Sequence, residues 1–309
     1  MSEDRRPDAA TETFVAHRNL LFTVAYEMLG SAADAEDVLQ ETWLKWANVD
    51  LDVVRDQRAY LVRIAARQAL TRLRTLGRRK ESYVGPWLPE PLLTAPDIAE
   101  DFELAESVSM AMLLVLETLA PTERAVFVLR EVFDLGYDEI AEAIGKSRNA
   151  VRQIAYRARA HVAARRPRGV ASQTQTRAAL DAFERAVQAG DLQGLLDVLA
   201  PDVVALSDGG GVRRALSKPL VGPDKVARLL ATHFEVLGGQ ETVEPAQVNG
   251  SPALILRLNG VIDSVVALRI DDGLVTGIYV VRNPEKLSRV EQETVVSRCA
   301  RELPASGTN

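Results

Sequence analysis

The sequence predicts a multidomain protein: two all-α domains, a helical bundle and a helix-turn-helix, followed by an α+β domain. Three observations carry this expectation. The stretch YDEIAEAIGKSRNAVRQIAYRAR (137–159) reads as two helices with a sharp bend between them. Upstream of it, residues 14–29, 33–47 and 57–79 show helical spacing of apolar residues. After the linker-like PRGVASQTQT (167–176), helices at 177–189, 191–199 and 223–237 precede alternating segments at 253–258, 261–270 and 274–281. Helices first and antiparallel strands after predict an α+β domain.

The bend at 145–147 is the most informative feature. Ile140 and Ile144 lie one turn apart on the first helix, and Val151, Ile154, Ala155 and Ala158 have helical spacing on the second. Gly145 supplies the permissive backbone that ends the first helix, and Ser147 is placed to cap the second. Residues 143–180 contain no Asp or Glu, so the second helix is strongly basic. Arg148, Asn149, Arg152, Gln153 and Arg157 fall away from the Val151/Ile154 side. Arg suits guanine edges and phosphates, and Asn and Gln suit adenine. A DNA-reading helix accounts for bend and charge together; the bland alternative is a solvated cationic face.

In chain order, FVAHRNLLFTVAYEML (14–29) is an amphipathic helix closed by Gly30. Ser31 then caps a helix whose apolar residues are interspersed with Asp34, Glu36, Asp37, Gln40 and Glu41. Those acids read equally as a solvated face and as an acidic surface for a protein partner. The helix at 57–79 has no acid between Asp56 and Glu81 but carries Arg63, Arg67, Arg72, Arg74, Arg78 and Arg79. It predicts a second cationic surface for DNA, with a solvated face as the alternative. SYVGPWLPEPLLTAP has prolines at 86, 89, 91 and 96, which favour an extended strip. Its Trp87 suggests docking onto another surface; filling the side of the N-terminal bundle is the alternative. An apolar helix at 106–118 and another from Pro121 to Phe133 lead into the helix-turn-helix.

Composition bounds the function classes. The net charge of −6 is an average: residues 1–170 hold 23 basic and 26 acidic side chains, arranged in separate patches, and patches are what a polyanion feels. The single cysteine, Cys299, excludes an intrachain disulfide and fits a reducing cytoplasm. Three scattered histidines predict no metal site, and no cofactor motif is present. No apolar run is long enough for a membrane span, so the expectation is a cytoplasmic protein without a membrane partner.

AEDVLQETWLKW (35–46) with the basic helix after it resembles region two of bacterial extracytoplasmic-function sigma factors. LAPTERAVFVLREVFDLGYDEIAEAIGKSRNAVRQIAYRAR (119–159) resembles region four of the same family. AGDLQGLLDVLAPDVVALSDGGG (189–211) is similar to the opening of SnoaL-like domains of the nuclear-transport-factor-2 fold, which are cone-shaped. Sigma factors with that extension form a subgroup marked here by WLPEP (87–91), DGGG (208–211) and NPEKL (283–287). The resemblance divides the chain into region two (12–82), a linker with WLPEP (83–106), region four (107–166), a second linker (167–176), the SnoaL-like domain (177–290) and a tail (291–309).

The resemblance also implies roles. Asp37, Gln40 and Glu41 would face the β′ clamp helices of core RNA polymerase, with the β flap as a further polymerase contact. Arg63, Arg67, Arg72, Arg74, Arg78 and Arg79 would engage and help melt the −10 element. Arg148, Asn149, Arg152, Gln153 and Arg157 would read the −35 element. Where the family often has Asn and Asp, this chain has Gln68 and Thr71. Trp87, Leu88 and Pro89, with Asp208, Gly209, Gly210, Gly211, Asn283 and Pro284, would form a regulatory contact within the chain, so that no separate anti-sigma factor is needed.

Two other classes remain in view. SnoaL-like folds host isomerases, cyclases and hydrolases, and Asp208, His233 and Tyr279 can be imagined as acid–base groups. The expectation is nevertheless no enzyme. A one-component activator is the other class, and the polymerase-like signature at 35–46 argues against it.

Overall fold

The structure, a computed structural model, describes residues 9–80, 83–95, 101–165, 173–237 and 241–298. The chain forms two compact units. The first gathers Met1–Gly77, Leu116–Ala164 and Val295–Asn309; the second gathers Arg78–Val115 and Arg165–Thr294. The side chains of Arg78, Arg79 and His233, as well as Cys299 and residues 166–172, lie outside what is described.

In the first unit, α1 (Ala9–Leu29) ends at Gly30 in the left-handed region (φ 68°), and α2 (Ala32–Trp46) begins at Ser31, whose hydroxyl accepts the Asp34 N–H. Both follow from the sequence, since Gly stops and Ser starts a helix at no steric cost. Trp46 is fully buried and donates its indole N–H to Ala10 O at 2.8 Å, tying the two helices end to end. The third helix, α3 (Gln57–Lys80), packs Leu61, Ala65, Ala69 and Leu70 inward.

The second unit starts from an extended strip, 83–95, followed by α4 (Phe102–Val108) and α5 (Met110–Glu117). The single apolar helix expected at 106–118 is therefore two helices. They part at Ser109, whose backbone is extended and whose hydroxyl accepts the Met112 N–H.

Back in the first unit, α6 (Pro121–Phe127) runs into a wide π-helical turn at Val128–Val132. Helices α7 (Tyr137–Ile144) and α8 (Arg148–Ala163) then form the helix-turn-helix. Gly145 adopts φ 67° and Ser147 accepts the Ala150 N–H, as the sequence predicts. Val151, Ile154, Ala155, Ala158 and Val162 are the buried side of α8. Arg124 of α6 is 1 % exposed; its Nε and Nη2 donate to Glu27 O of α1 at 3.1 and 2.9 Å, and it pairs with the Glu117 carboxylate. The segment after residue 294 returns to α1, where the Ser297 N–H donates to Thr23 Oγ1 at 2.9 Å.

The rest of the second unit comprises α9 (Gln173–Ala189), α10 (Leu192–Val198), β1 (Leu199–Asp208), β2 (Leu220–Val221), α11 (Pro223–Leu237), β3 (Glu241–Val248), β4 (Ser251–Leu258), β5 (Val261–Asp271), β6 (Leu274–Val281) and the short α12 (Pro284–Leu287). The sheet order is β2-β1-β6-β5-β4-β3. It is mixed rather than wholly antiparallel, because β1 runs parallel to β6. Sequence periodicity misses β1 and β3. Pro201 and Asp202 near the start of β1 read as a break, and Pro245 demotes β3, where as an edge strand it is tolerated.

Both faces of this sheet are covered. Phe183, Val187, Leu195 and Val226 of α9–α11 pack on Leu254, Leu256, Leu268 and Ile278. On the opposite face, Leu88 of the strip and Met110 meet Ile255, Val265, Ala267, Tyr279 and Val281. The strip also extends the sheet edge, pairing Leu93 with Val248.

One turn residue carries much of that seam. Asn249 (φ 56°) and Gly250 (φ 66°) close the β3–β4 hairpin, a backbone that Asn and Gly adopt most readily. The fully buried Asn249 side chain accepts the Leu92 N–H and donates to Val108 O, both at 2.9 Å. Asn249→Ala orphans both groups and strains the turn, so it should destabilise the second unit by about 2–4 kcal/mol. Urea unfolding followed by tryptophan fluorescence checks this; a change below about 0.5 kcal/mol would mean the seam is held by other contacts.

Candidate polymerase, promoter and regulatory surfaces

The exposed face of α2 presents Asp37, Gln40 and Glu41 together, as the helical spacing requires. Leu44 stands on the same face, one turn on from Gln40 and Glu41, and is 66 % exposed. Sequence reading passed over it because a single exposed Leu carries no periodic signal. The acids are not isolated: Arg72 of α3 donates to Asp34 Oδ1 at 2.6 Å and Asp37 Oδ2 at 2.5 Å, and Gln68 donates to Glu41 Oε2 at 2.6 Å. Arg72, expected on the DNA side, is thus a clasp between the basic and acidic helices.

Along α3 the arginines divide. Arg63 lies over the Tyr60 ring, 4.7 Å from its centroid, and pairs with the Glu142 carboxylate of α7. Arg67 donates to Glu142 O at 2.9 Å and Ala143 O at 3.3 Å. Arg74 is exposed. Arg78 and Arg79 belong to the helix, with side chains outside the described residues.

Helix α8 presents Arg148, Asn149, Arg152, Gln153 and Arg157 on one exposed face. Tyr156 joins them, 74 % exposed, and with Arg152, Gln153 and Arg157 lines a shallow open hollow. Its spacing from Arg152, one helical turn, was the available sequence signal. Arg157 is 3.6 Å from Glu123, and Arg148 is 3.5 Å from Asp138. Such exposed pairs are weak and exchange readily for phosphate.

In the second unit the three short motifs converge on one carboxylate. Asp208 ends β1 and is fully buried. It accepts the Tyr83 hydroxyl at 2.6 Å, the Leu88 N–H at 2.9 Å, the Gly210 N–H at 3.0 Å and Lys286 Nζ at 2.7 Å. Asn283 caps α12, where Pro284 takes the first helical position, and donates to Tyr83 Oη at 2.9 Å. Lys286 also donates to Leu88 O and sits 4.3 Å from the Trp87 ring centroid. Burial, then the bond to Asp208, pushes the Tyr83 phenol well above its ordinary value, so it stays a donor.

The anchor of the strip differs from the expected one. Trp87 is only half-buried, whereas Leu88 is fully buried, and Pro89 is buried beside it. The glycines are needed for space: a Cβ on Gly209 would lie 2.1 Å from Arg213 O, and one on Gly210 would lie 2.5 Å from Asn283 Cγ. Gly211 faces Val84 of the strip, 3.2 Å away by the same measure.

Of the imagined acid–base trio, the His233 side chain lies outside the described residues, and the other two members are in structural settings. Tyr279 packs on the strip-covered face of the sheet, where burial raises its phenol against the opposing pull of Arg269, and Asp208 is committed to the donors above. Among the described residues no group of three or more His, Cys, Asp or Glu side chains could hold a metal ion. Also among them, no helix is long and apolar enough to cross a membrane.

Residues 13–79 match the Sigma-70 region 2 family and residues 109–162 match Sigma-70, region 4. The chain is 34% identical over 291 residues to the ECF RNA polymerase sigma factor SigJ of Mycobacterium tuberculosis, covering 89% of this chain and 92% of the relative. It is 31% identical over 289 residues to the probable ECF RNA polymerase sigma factor SigI of the same species, covering 93% and 97%. The crystal structure of M. tuberculosis SigJ matches with a TM-score of 0.73 at 32% identity, over 90% of this chain and 98% of that one. The helical units, the SnoaL-like α+β domain and these relatives agree: the chain belongs to the extracytoplasmic-function sigma factors, which direct RNA polymerase to initiate transcription at chosen promoters.

Proposed function

We propose that this cytoplasmic sigma factor is controlled in cis by its C-terminal SnoaL-like domain, through the strip that joins regions two and four, without a separate anti-sigma factor. The observation that carries this reading is the convergence of WLPEP, DGGG and NPEKL on Asp208. A strip seated this firmly gives the C-terminal domain a mechanical hold on the connection between the two promoter-reading regions. The commitment of Asp208 to structural donors supports a regulatory domain rather than a catalytic one. The β flap is taken as a further polymerase contact.

For the promoter, Arg148, Asn149, Arg152, Gln153, Tyr156 and Arg157 read the −35 element, and Arg63, Arg67 and Arg74 with Arg78 and Arg79 engage the −10 element. Losing one bidentate Arg–base pair costs on the order of 1–3 kcal/mol, roughly a 5- to 150-fold loss. Arg152→Ala should therefore lower run-off transcription from a cognate promoter by about that factor while core-polymerase binding stays intact. Unchanged promoter selectivity across Arg148→Ala, Arg152→Ala and Arg157→Ala would remove the −35 assignment.

For polymerase, Asp37, Gln40 and Glu41 face the β′ clamp helices, with Leu44 as the apolar centre of the patch. A like-charge contact at an interface costs several kcal/mol. Asp37→Lys should abolish recovery with core polymerase in a pull-down, and Leu44→Ala should weaken it. Equal recovery of both variants and the parent, with unchanged far-UV spectra, would leave α2 as a solvated face.

For control, Trp87→Ala and Gly210→Ala should each change run-off transcription, the second because its Cβ displaces Asn283 from Tyr83. Contacting sites couple, so the double variant should show less than the summed effect. Strict additivity, with a chain ending at Arg168 as active as the full-length protein, would leave the C-terminal domain without a regulatory role.

A further inference from the structure

The helix assigned to the −10 element touches the first helix of the helix-turn-helix within the first unit. Arg63 of α3 pairs with Glu142 of α7, and Arg67 of α3 donates to Glu142 O and Ala143 O. These carbonyls belong to the last turn of α7, which ends at Ile144 and turns off at Gly145. Carbonyls in a final turn lack partners within their own helix, and a cation there also meets the negative end of the helix dipole. Arg67 is therefore the side-chain cap of α7, supplied from 75 residues away in the chain.

We propose that α7 of the helix-turn-helix is a built-in competitor of promoter DNA for α3. Glu142 and the end of α7 occupy the guanidinium groups of Arg63 and Arg67 until DNA phosphates take them. The inference rests on the −10 assignment of α3 above. Exclusion is local and chemical: a guanidinium edge committed to a carboxylate or to helix-end carbonyls is not free to clasp a phosphate through that same edge.

The contact has the character of something meant to part. Glu142 is largely exposed, with 63% of its side-chain surface accessible, so water and salt weaken its pair with Arg63. Beside the contact, a cleft of about 320 Å³ is lined by Val49, Arg55, Tyr60, Arg63, Glu139 and Glu142. A bare cationic helix would be drawn to any polyanion, since phosphate contacts are insensitive to sequence. A weak internal carboxylate lowers that indiscriminate attraction and leaves a true promoter complex, with many contacts, able to displace it.

The test uses the full-length chain carrying Arg152→Ala and Arg157→Ala, so that α8 contributes little to DNA binding. The probe is a fluorescent, mixed-sequence single-stranded 20-mer read by anisotropy. In parallel, dyes on Asn48→Cys and Ala160→Cys, with Cys299→Ser, report separation of the two regions by energy transfer. Glu142→Gln should tighten 20-mer binding about three- to tenfold and lengthen the dye separation, whereas Arg63→Ala and Arg67→Ala should weaken binding. If the arginine variants weaken binding but Glu142→Gln changes neither affinity nor distance, α3 meets DNA and the competition is refuted. If neither arginine variant changes binding, the −10 assignment fails and the competition fails with it.

Discussion

A carboxylate removed from water is the constraint on which the C-terminal half depends. Asp208 is fully buried, and its charge is tolerable only because Lys286 and three hydrogen-bond donors surround it. Two of those donors, the Tyr83 hydroxyl and the Leu88 N–H, come from the strip more than a hundred residues upstream. If the strip leaves, the carboxylate loses half its donors inside an apolar surrounding. A buried pair of this kind adds little to net stability compared with apolar residues, but it penalises every other placement of the strip. The second face of the sheet, which Leu88 covers, is thereby committed to one partner.

Much of this seam is legible in the sequence because it is encoded in short, local patterns. WLPEP, DGGG and NPEKL each announce an unusual backbone, and three unusual backbones in one chain suggest a common purpose. What the patterns do not say is which side chain bears the load. Trp87 draws attention by size, yet Leu88 is the buried residue and Trp87 partly shields Lys286. Asn249 is invisible for a different reason: Asn-Gly announces a hairpin only when flanked by recognisable strands, and Pro245 disguises β3. Its bonds to Leu92 and Val108 are tertiary facts.

The first unit shows the same division between local and distant information. Gly145 and Ser147 place the bend, and the apolar spacing of α8 fixes which residues turn outward. Arg124, by contrast, reads as an ordinary helix-surface arginine after Pro121. In the structure it is almost wholly buried, and its bonds to Glu27 O join α6 to α1 across 97 residues. Arg72 likewise reads as one more cation on a cationic helix but clasps Asp34 and Asp37. An arginine's role is hard to read from sequence, since the same fork can serve phosphate, carboxylate or backbone carbonyl.

Burial separates contacts that persist from contacts that can be exchanged. Breaking a buried pair such as Arg124–Glu117 or Lys286–Asp208 leaves a charge stranded at low dielectric, at a cost of about 3–5 kcal/mol. Exposed pairs such as Arg63–Glu142, Arg148–Asp138 and Arg157–Glu123 contribute about 0–1 kcal/mol each, and water replaces either partner cheaply. Each of these three involves an arginine assigned here to promoter DNA, although other exposed pairs, such as Arg18–Glu36 and Arg257–Glu244, do not. The buried pairs involve none. A protein that must keep its frame and surrender its binding side chains needs this distribution, with strong pairs sealed inside and weak pairs on the faces that meet the polyanion.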